Sequence, residues 1–311
     1  MVDKDENNRL VRKYKQYLRL ERSFSANTID AYLTDLDKLL SYLLLEGVRV
    51  KDVTLDVLHG FAAGLHDVGI HPRSQARVIS GVKSFFRFLL LDGYIESDPT
   101  ELLESPKIGF KIPEVLTLDE IDRIISTVDL GKKEGQRNRA ILETLYSCGL
   151  RVSELVDLKL SELYFDEGFI KVEGKGSKQR LVPISPRAIK EIRLYFYDRN
   201  AVSVKKGHED YVFLSRRGTK LSRIMVFHMI KEQVQAAGIT KNVSPHTFRH
   251  SFATHLLEGG ANLKAIQCML GHESLATTEI YTHIDRNMLR SEIIGHHPRN
   301  IRYRERHGAG E

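Results

Sequence analysis

Between Phe24 and Gly47 the chain reads FSANTIDAYLTDLDKLLSYLLLEG, with apolar residues recurring at Ile29, Leu33, Leu36, Leu40 and Leu43. That spacing is close to 3.6 residues and predicts a helix with one buried stripe. A second run, RSQARVISGVKSFFRFLLLDG, sets Val78, Val82, Phe85, Phe86 and Leu89 against Arg73, Arg77, Lys83 and Arg87. It predicts another amphipathic helix, this one with a basic face fit to sit on phosphates or simply to meet water. Gly47 and Gly93 stand where the helices should stop. Residues 1–105 therefore read as an all-helical bundle.

The pattern breaks at SDPTELLESPKIGFKIPEVLT, where Pro99, Pro106, Gly109 and Pro113 predict a linker over 106–116. A new helix starts in TLDEIDRII, with Thr117 as N-cap and Glu120 at the capping-box position. RNRAILETLYSCGLRVSELVDL predicts two helices broken at Gly149, and FIKVEGKGSKQRLVPI a hairpin turning at Gly174 and Gly176. DYVFLS reads as a further short strand. SPHTFRHSFATHLLEGG opens on Ser244 and Pro245, buries Phe248, Phe252 and Leu256, and stops at Gly259. ANLKAIQCMLG puts Leu263, Ile266 and Leu270 on one face and ends at Gly271. The chain is thus expected to be mainly α. Its first domain is a small helical bundle, and residues 117–311 form a mixed α+β domain with a small antiparallel sheet. Near the end, Leu289, Ile293 and Ile294 are apolar with little left to bury them. They fit a partner surface or a helix capping its own domain. The arginines beyond, Arg299, Arg302, Arg304 and Arg306, suit DNA contact or a disordered tail.

The 311 residues suffice for two cores, and 41% hydrophobic with 28% charged residues is the balance of a globular protein. No apolar run approaches a membrane span, and the polar, acidic start is unlike a secretory leader. The two cysteines, Cys148 and Cys268, read as reduced packing residues, which points to the cytosol. Charge is uneven. Residues 1–108 hold 15 Lys and Arg against 16 Asp and Glu, while 109–311 hold 32 against 25. The positive excess, and with it any attraction to a polyanion, belongs to the second half.

Candidate chemistry lies there too. His246 and Arg249 stand at i, i+3, off the apolar stripe, and an arginine fork beside a histidine suits an anionic oxygen such as phosphate. The histidines at 246, 250, 255, 272 and 283 lack the Glu, Cys or Asp partners of a metal site, so no metal is expected. Arg151 follows the Gly149 break, and Glu154 three residues on is placed to orient or neutralise it. Lys175 sits at the hairpin tip, where an ammonium can reach into a groove. Each has an ordinary structural explanation when taken singly.

Taken in order, GLRVSEL, GKGSKQRLVP, HTFRHSFATHLL and LGHESLATTEIYTHI resemble the motifs of the tyrosine recombinase family. The likeness is close to the XerC/XerD-type site-specific recombinases and extends to SANTIDAYLTDL and the HHPR segment. It implies a SAM-like core-binding domain over 1–105 and a catalytic domain over 117–311. In that family's chemistry Tyr281 would attack a DNA phosphodiester and form a 3′-phosphotyrosyl link. Arg151 and Arg249 would hold the non-bridging oxygens, His246 and His272 would donate to them, and Lys175 would protonate the leaving 5′-oxygen. Glu154 would support Arg151. Arg73, Arg77, Lys83, Arg87, Lys178 and Arg180 are candidates for DNA contact. No cofactor is implied. The partners implied are duplex DNA with a dif-like site, a tetramer that can include a second Xer recombinase, and a septal DNA translocase as activator. An integrase of a mobile element is the alternative, disfavoured because no added arm-binding domain is expected. A type IB topoisomerase or a catalytically silent DNA-binding protein fits less well.

Overall fold

The computed structural model describes residues 4–107, 109, 114–174, 178–271 and 286–301. The chain divides into two compact units, Met1–Lys111 and Ile112–Glu311.

The first unit is built of α1 (Lys4–Leu20), α2 (Ala26–Glu46), α3 (Leu55–Asp67) and α4 (Pro72–Leu91). Ser25 caps α2 by accepting from the Thr28 amide, and Gly47 ends it at φ 68°. The core forms where α4 turns Val78, Val82, Phe85, Phe86 and Leu89 inward, all at most 1% exposed. Each such side chain contributes roughly 1.5–3 kcal/mol by leaving water. Tyr14 of α1 fixes the packing, with its ring edge-on to Phe85 at 5.2 Å and 5.5 Å from Phe88. Of the stripe expected on α2, Ile29, Leu36 and Leu43 are buried, while Leu33 and Leu40 pack at its margin. Arg73, Arg77 and Arg87 are exposed on α4 and Lys83 is half-buried. Arg77 is also tied into its own domain, since its Nη2 donates to the buried Asp35 at 3.0 Å.

The second unit holds α5 (Leu118–Ser126), α6 (Gly135–Cys148), α7 (Val152–Asp157), strands β1 (Leu163–Tyr164), β2 (Phe169–Glu173) and β3 (Gln179–Pro183), then α8 (Pro186–Asn200), α9 (Arg223–Ala236), α10 (Pro245–Glu258), α11 (Leu263–Leu270) and α12 (Arg286–His296). The sheet is antiparallel in the order β1-β2-β3, with Phe169 opposite Pro183 and Glu173 opposite Gln179. Among the described residues the molecule is therefore mainly helical with one small antiparallel sheet. Helix α6 runs through the middle of this core, and Ala140–Cys148 is buried throughout. The Thr117–Glu120 capping box forms as its spelling predicts. No helix among the described residues is long and apolar enough to cross a membrane.

Three expectations need correction. The DYVFLS segment is not a strand, although Val212, Phe213 and Leu214 are buried. Its backbone carbonyls at Tyr211 and Val212 accept from the Arg199 guanidinium, and the Leu214 amide donates to the Tyr195 hydroxyl. Backbone pairing on either side is confined to isolated bridges, Lys159 with Tyr211 and Leu214 with Lys220. Leu263, expected on the buried face of α11, is exposed, while Ile266 and Leu270 are buried. Of the two uses left open for the C-terminal apolar residues, Ile293 and Leu289 serve this domain's own core. Ile293 is 1% exposed in its core and Leu289 packs against it. Arg299, placed among tail arginines by sequence, is buried beside Glu143, at 3.3 Å, and Asp122. Arg302, Arg304 and Arg306 lie outside the described residues.

The chain just after α12 seats His297, fully buried, against the rings of Tyr146 at 4.9 Å and Phe252 at 5.5 Å. Burial, then the nearby Arg299 charge, pushes its imidazole down to about 3. A histidine held neutral in the fold but free to protonate when unfolded removes stability as pH falls below its ordinary value near 6.5. The loss is about 1.4 kcal/mol per pH unit. Urea unfolding at pH 7 and pH 5 should show the wild type losing roughly 2 kcal/mol more than His297→Gln. Parallel losses in the two proteins would contradict this placement.

Candidate active site

The site begins where α6 stops. Gly149, at φ 58°, turns the chain so that Arg151 becomes the N-cap of α7. A side chain at Gly149 has no room, since its Cβ would fall 2.4 Å from Phe252 Cδ1. Glu154, one turn into α7, folds its carboxylate back on the cap. Its oxygens accept from the Arg151 amide and from Arg151 Nη1, each at 2.8 Å.

The same carboxylate gathers two further arginines. Arg180 of β3 donates from Nη1 and Nη2 to the two oxygens at 2.8 and 2.9 Å, a bidentate fork. Arg249 of α10 brings Nη1 to 3.8 Å. Glu154 is 2% exposed at its side chain, Arg180 10%, Arg249 11% and Arg151 36%. One buried negative charge thus sits among three positive ones, and Arg151 is the guanidinium that most faces solvent.

A second set of acceptors fixes the guanidinia from the other side. Helix α11 ends at Gly271, with φ 64°, leaving its last carbonyls unpaired within the helix. Arg180 Nε donates to Met269 O at 2.8 Å, Arg249 Nη2 to Leu270 O, and Arg151 Nη2 to Gly271 O at 3.2 Å. Three successive carbonyls at the negative end of a helix are capped by three cations, the favourable sense of the helix dipole. Arg249 Nη1 also donates to Gly149 O at 2.9 Å. A Cβ on Gly271 would meet Arg180 Nη1 at 3.2 Å, so glycine keeps this cap close.

The electrostatics follow. Burial alone would raise the Glu154 carboxyl, but the hydrogen bonds and charge of Arg180, with those of Arg151, hold it below the usual carboxylate range. Burial, together with the charge of Arg151, brings Arg249 down to about 10, still a cation at neutral pH. The cluster carries a formal charge of +2 and is suited to receive a phosphodiester.

Arg151, Glu154 and Arg249 are therefore brought together. His246 is exposed on α10 one turn before Arg249. Lys175, His272 and Tyr281 lie outside the described residues. Their flanks do not. Gly174 N donates to Lys178 O at 2.8 Å to close the hairpin base, and a Cβ on Gly174 would lie 3.6 Å from Arg180 Nη1. The chain enters 175 and 272 from Gly174 and Gly271, both against the arginine cluster. Lys178 is exposed. Arg180, a candidate for DNA contact, has its guanidinium on a buried carboxylate that needs a forked counter-ion. The carbonyls of Gly149 and of the α11 end were not expected in the site. The only sequence signal for them was a glycine directly after each helix. Arg73, Arg77, Lys83 and Arg87 belong to the first unit. Among the described residues no cluster of His, Cys, Asp and Glu is arranged to hold a metal.

Comparison with known proteins places the chain among related sequences and folds. The sequence model of the phage integrase family matches residues 114–288, and that of the phage integrase N-terminal SAM-like domain matches 11–93. A Staphylococcus saprophyticus protein named tyrosine recombinase XerD is 40% identical over 291 residues, 93% of this chain and 99% of its own. In fold, the chain is similar to XerH site-specific recombinase bound to difH substrate in a pre-cleavage complex. The TM-score is 0.66 and the identity 22%, over 90% of this chain and 83% of that one. It is also similar to a lambda integrase tetramer bound to a Holliday junction, with TM-score 0.68 and 19% identity over 88% and 76%.

Gly149→Ala tests how tightly the junction is built. A left-handed backbone and a methyl driven into Phe252 should together cost about 2–4 kcal/mol in urea unfolding. An unchanged unfolding free energy would show that Phe252 yields freely and that Gly149 does not fix the Arg249 acceptor.

Proposed function

This chain belongs to the phage integrase family, and on that premise we propose how it works as a tyrosine-type site-specific DNA recombinase. What carries the reading is the pair Arg151 and Arg249, drawn from separate helices onto one carboxylate and preorganised for an anion. The enzyme cuts and rejoins duplex DNA. In our reading Tyr281 Oη attacks the scissile phosphorus while the P–O5′ bond breaks, leaving a 3′-phosphotyrosyl link and a free 5′-hydroxyl. A phenol with an ordinary pKa of about 10 is a weak nucleophile until its proton is taken. His272 or His246 receives that proton, and Lys175 supplies one to the departing 5′-oxygen. Arg151 and Arg249 neutralise the charge that grows on the non-bridging oxygens. The stored phosphotyrosine bond energy serves rejoining, so the scheme uses no nucleotide.

The biological setting is likewise our reading. The XerD name of the 40%-identical relative supports a role in resolving chromosome dimers at a dif-like site in the cytoplasm, ahead of mobile-element integration. Four protomers would hold two duplexes, with a second Xer recombinase among them and a septal DNA translocase as activator. The tetrameric lambda integrase on a Holliday junction supports the assembly by likeness of fold.

A nicked suicide duplex bearing a dif-like core tests the chemistry. The wild type should give a covalent protein–DNA band on a denaturing gel, and Tyr281→Phe should bind the duplex yet give none. A band from Tyr281→Phe would remove Tyr281 as nucleophile. Lys175→Ala should be slow on ordinary DNA and recover when sulfur replaces the 5′-oxygen, because a thiolate departs without an acid. EDTA should leave cleavage unaffected, and its loss would restore a metal to the mechanism.

A further inference from the structure

The cluster holds one guanidinium more than the phosphate needs. Arg151 and Arg249 account for two non-bridging oxygens, and Arg180 remains. Its side chain is 10% exposed, both Nη atoms are on Glu154, and its Nε is on Met269 O. Little of it is left to face a substrate. Its effect must pass through what it touches.

That effect can be read from the distances. Glu154 is 2.8 Å from Arg151 Nη1 and 3.8 Å from Arg249 Nη1. A buried carboxylate without a partner of its own would take these two as counter-ions, because an unpaired charge out of water costs several kcal/mol. With Arg180 bonded to both oxygens, the carboxylate is already balanced. We propose that Arg180 is a positioning residue that satisfies Glu154 and so frees the charge of Arg151 and Arg249 for the DNA phosphate. This rests on the recombinase reading above. Removing Arg180 lowers the formal charge of the cluster from +2 to +1 and gives Glu154 a stronger hold on the two remaining guanidinia. The forked geometry requires arginine, because a lysine ammonium meets one carboxylate oxygen well and leaves the other.

A purely mechanical role, bracing the end of α11, is the rival explanation. The two differ in what a second substitution does. Under the charge explanation Arg180→Gln harms the enzyme because Glu154 is still negative, so adding Glu154→Gln should restore function. Under the mechanical explanation the double variant has lost both sides of a brace and is no better.

The experiment measures single-turnover formation of the covalent complex on the nicked duplex, with DNA affinity by mobility shift and thermal melting alongside. Arg180→Gln should slow cleavage on the order of 30- to 100-fold, as loss of preorganised charge does. Its DNA affinity should stay within about threefold, since Arg180 is turned from the substrate. Glu154→Gln/Arg180→Gln should return to within about tenfold of the wild-type rate. A double variant as slow as Arg180→Gln, or an Arg180→Gln enzyme at wild-type speed, overturns the proposal. If Arg180→Gln melts below the assay temperature, Arg180→Lys decides. It keeps the charge without the fork and should be intermediate in rate with affinity held, and a wild-type rate there overturns the proposal as well. Failure of the underlying reading looks different: the wild type itself would give no covalent band that Tyr281→Phe lacks.

Discussion

A carboxylate taken out of water must be surrounded by donors, and at Glu154 that requirement organises the second domain. Its oxygens accept from one backbone amide and two guanidinia, with a third close by. Three elements converge to supply these donors, the α6–α7 junction, β3 and α10, and the end of α11 supplies acceptors to the guanidinia from behind. The arginines repel one another, and burial first, then the charge of Arg151, lowers Arg249. Three cations can share this small volume because one negative charge and a row of carbonyls hold them apart at fixed distances. The surplus positive charge is thereby oriented before any substrate arrives, and preorganisation of that kind lowers a phosphoryl-transfer barrier.

The row of carbonyls comes from places where helices end. Gly149 and Gly271 both adopt left-handed backbone, and both present an oxygen to a guanidinium. A helix end is well suited to this use, since its last carbonyls have no partner within the helix and carry partial negative charge. The glycines matter twice, for their dihedral angles and for the close approach of Phe252 and Arg180 to their Cα atoms.

Much of this was legible in sequence. The apolar periodicity placed α2, α4 and the Phe248–Phe252–Leu256 face of α10, and the i, i+3 spacing put Glu154 within reach of Arg151. What failed did so for identifiable reasons. Arg180 is legible in sequence as a candidate for DNA contact alone, because nothing local reveals that a carboxylate 26 residues earlier is buried beneath it. The DYVFLS run has a strand's composition, yet it pairs in isolated bridges and Arg199 takes the carbonyls of Tyr211 and Val212. The amphipathic pattern of α12 is the same whether it covers its own domain or another, so only tertiary structure could choose. Lys175, His272 and Tyr281 rest on motif spelling alone.

One stack of side chains links distant parts of the catalytic domain. The His297 ring lies on Phe252, Phe252 fills the space beneath Gly149, and the Gly149 carbonyl holds Arg249. Interiors packed to crystal density leave no slack between such layers. The seating of the segment after α12 and the bearing of Arg249 are therefore a single mechanical variable. Volume added or removed anywhere along that column is transmitted to its far end. Shortening the chain upstream of residue 297 would act like pulling the bottom card from a tightly shimmed joint.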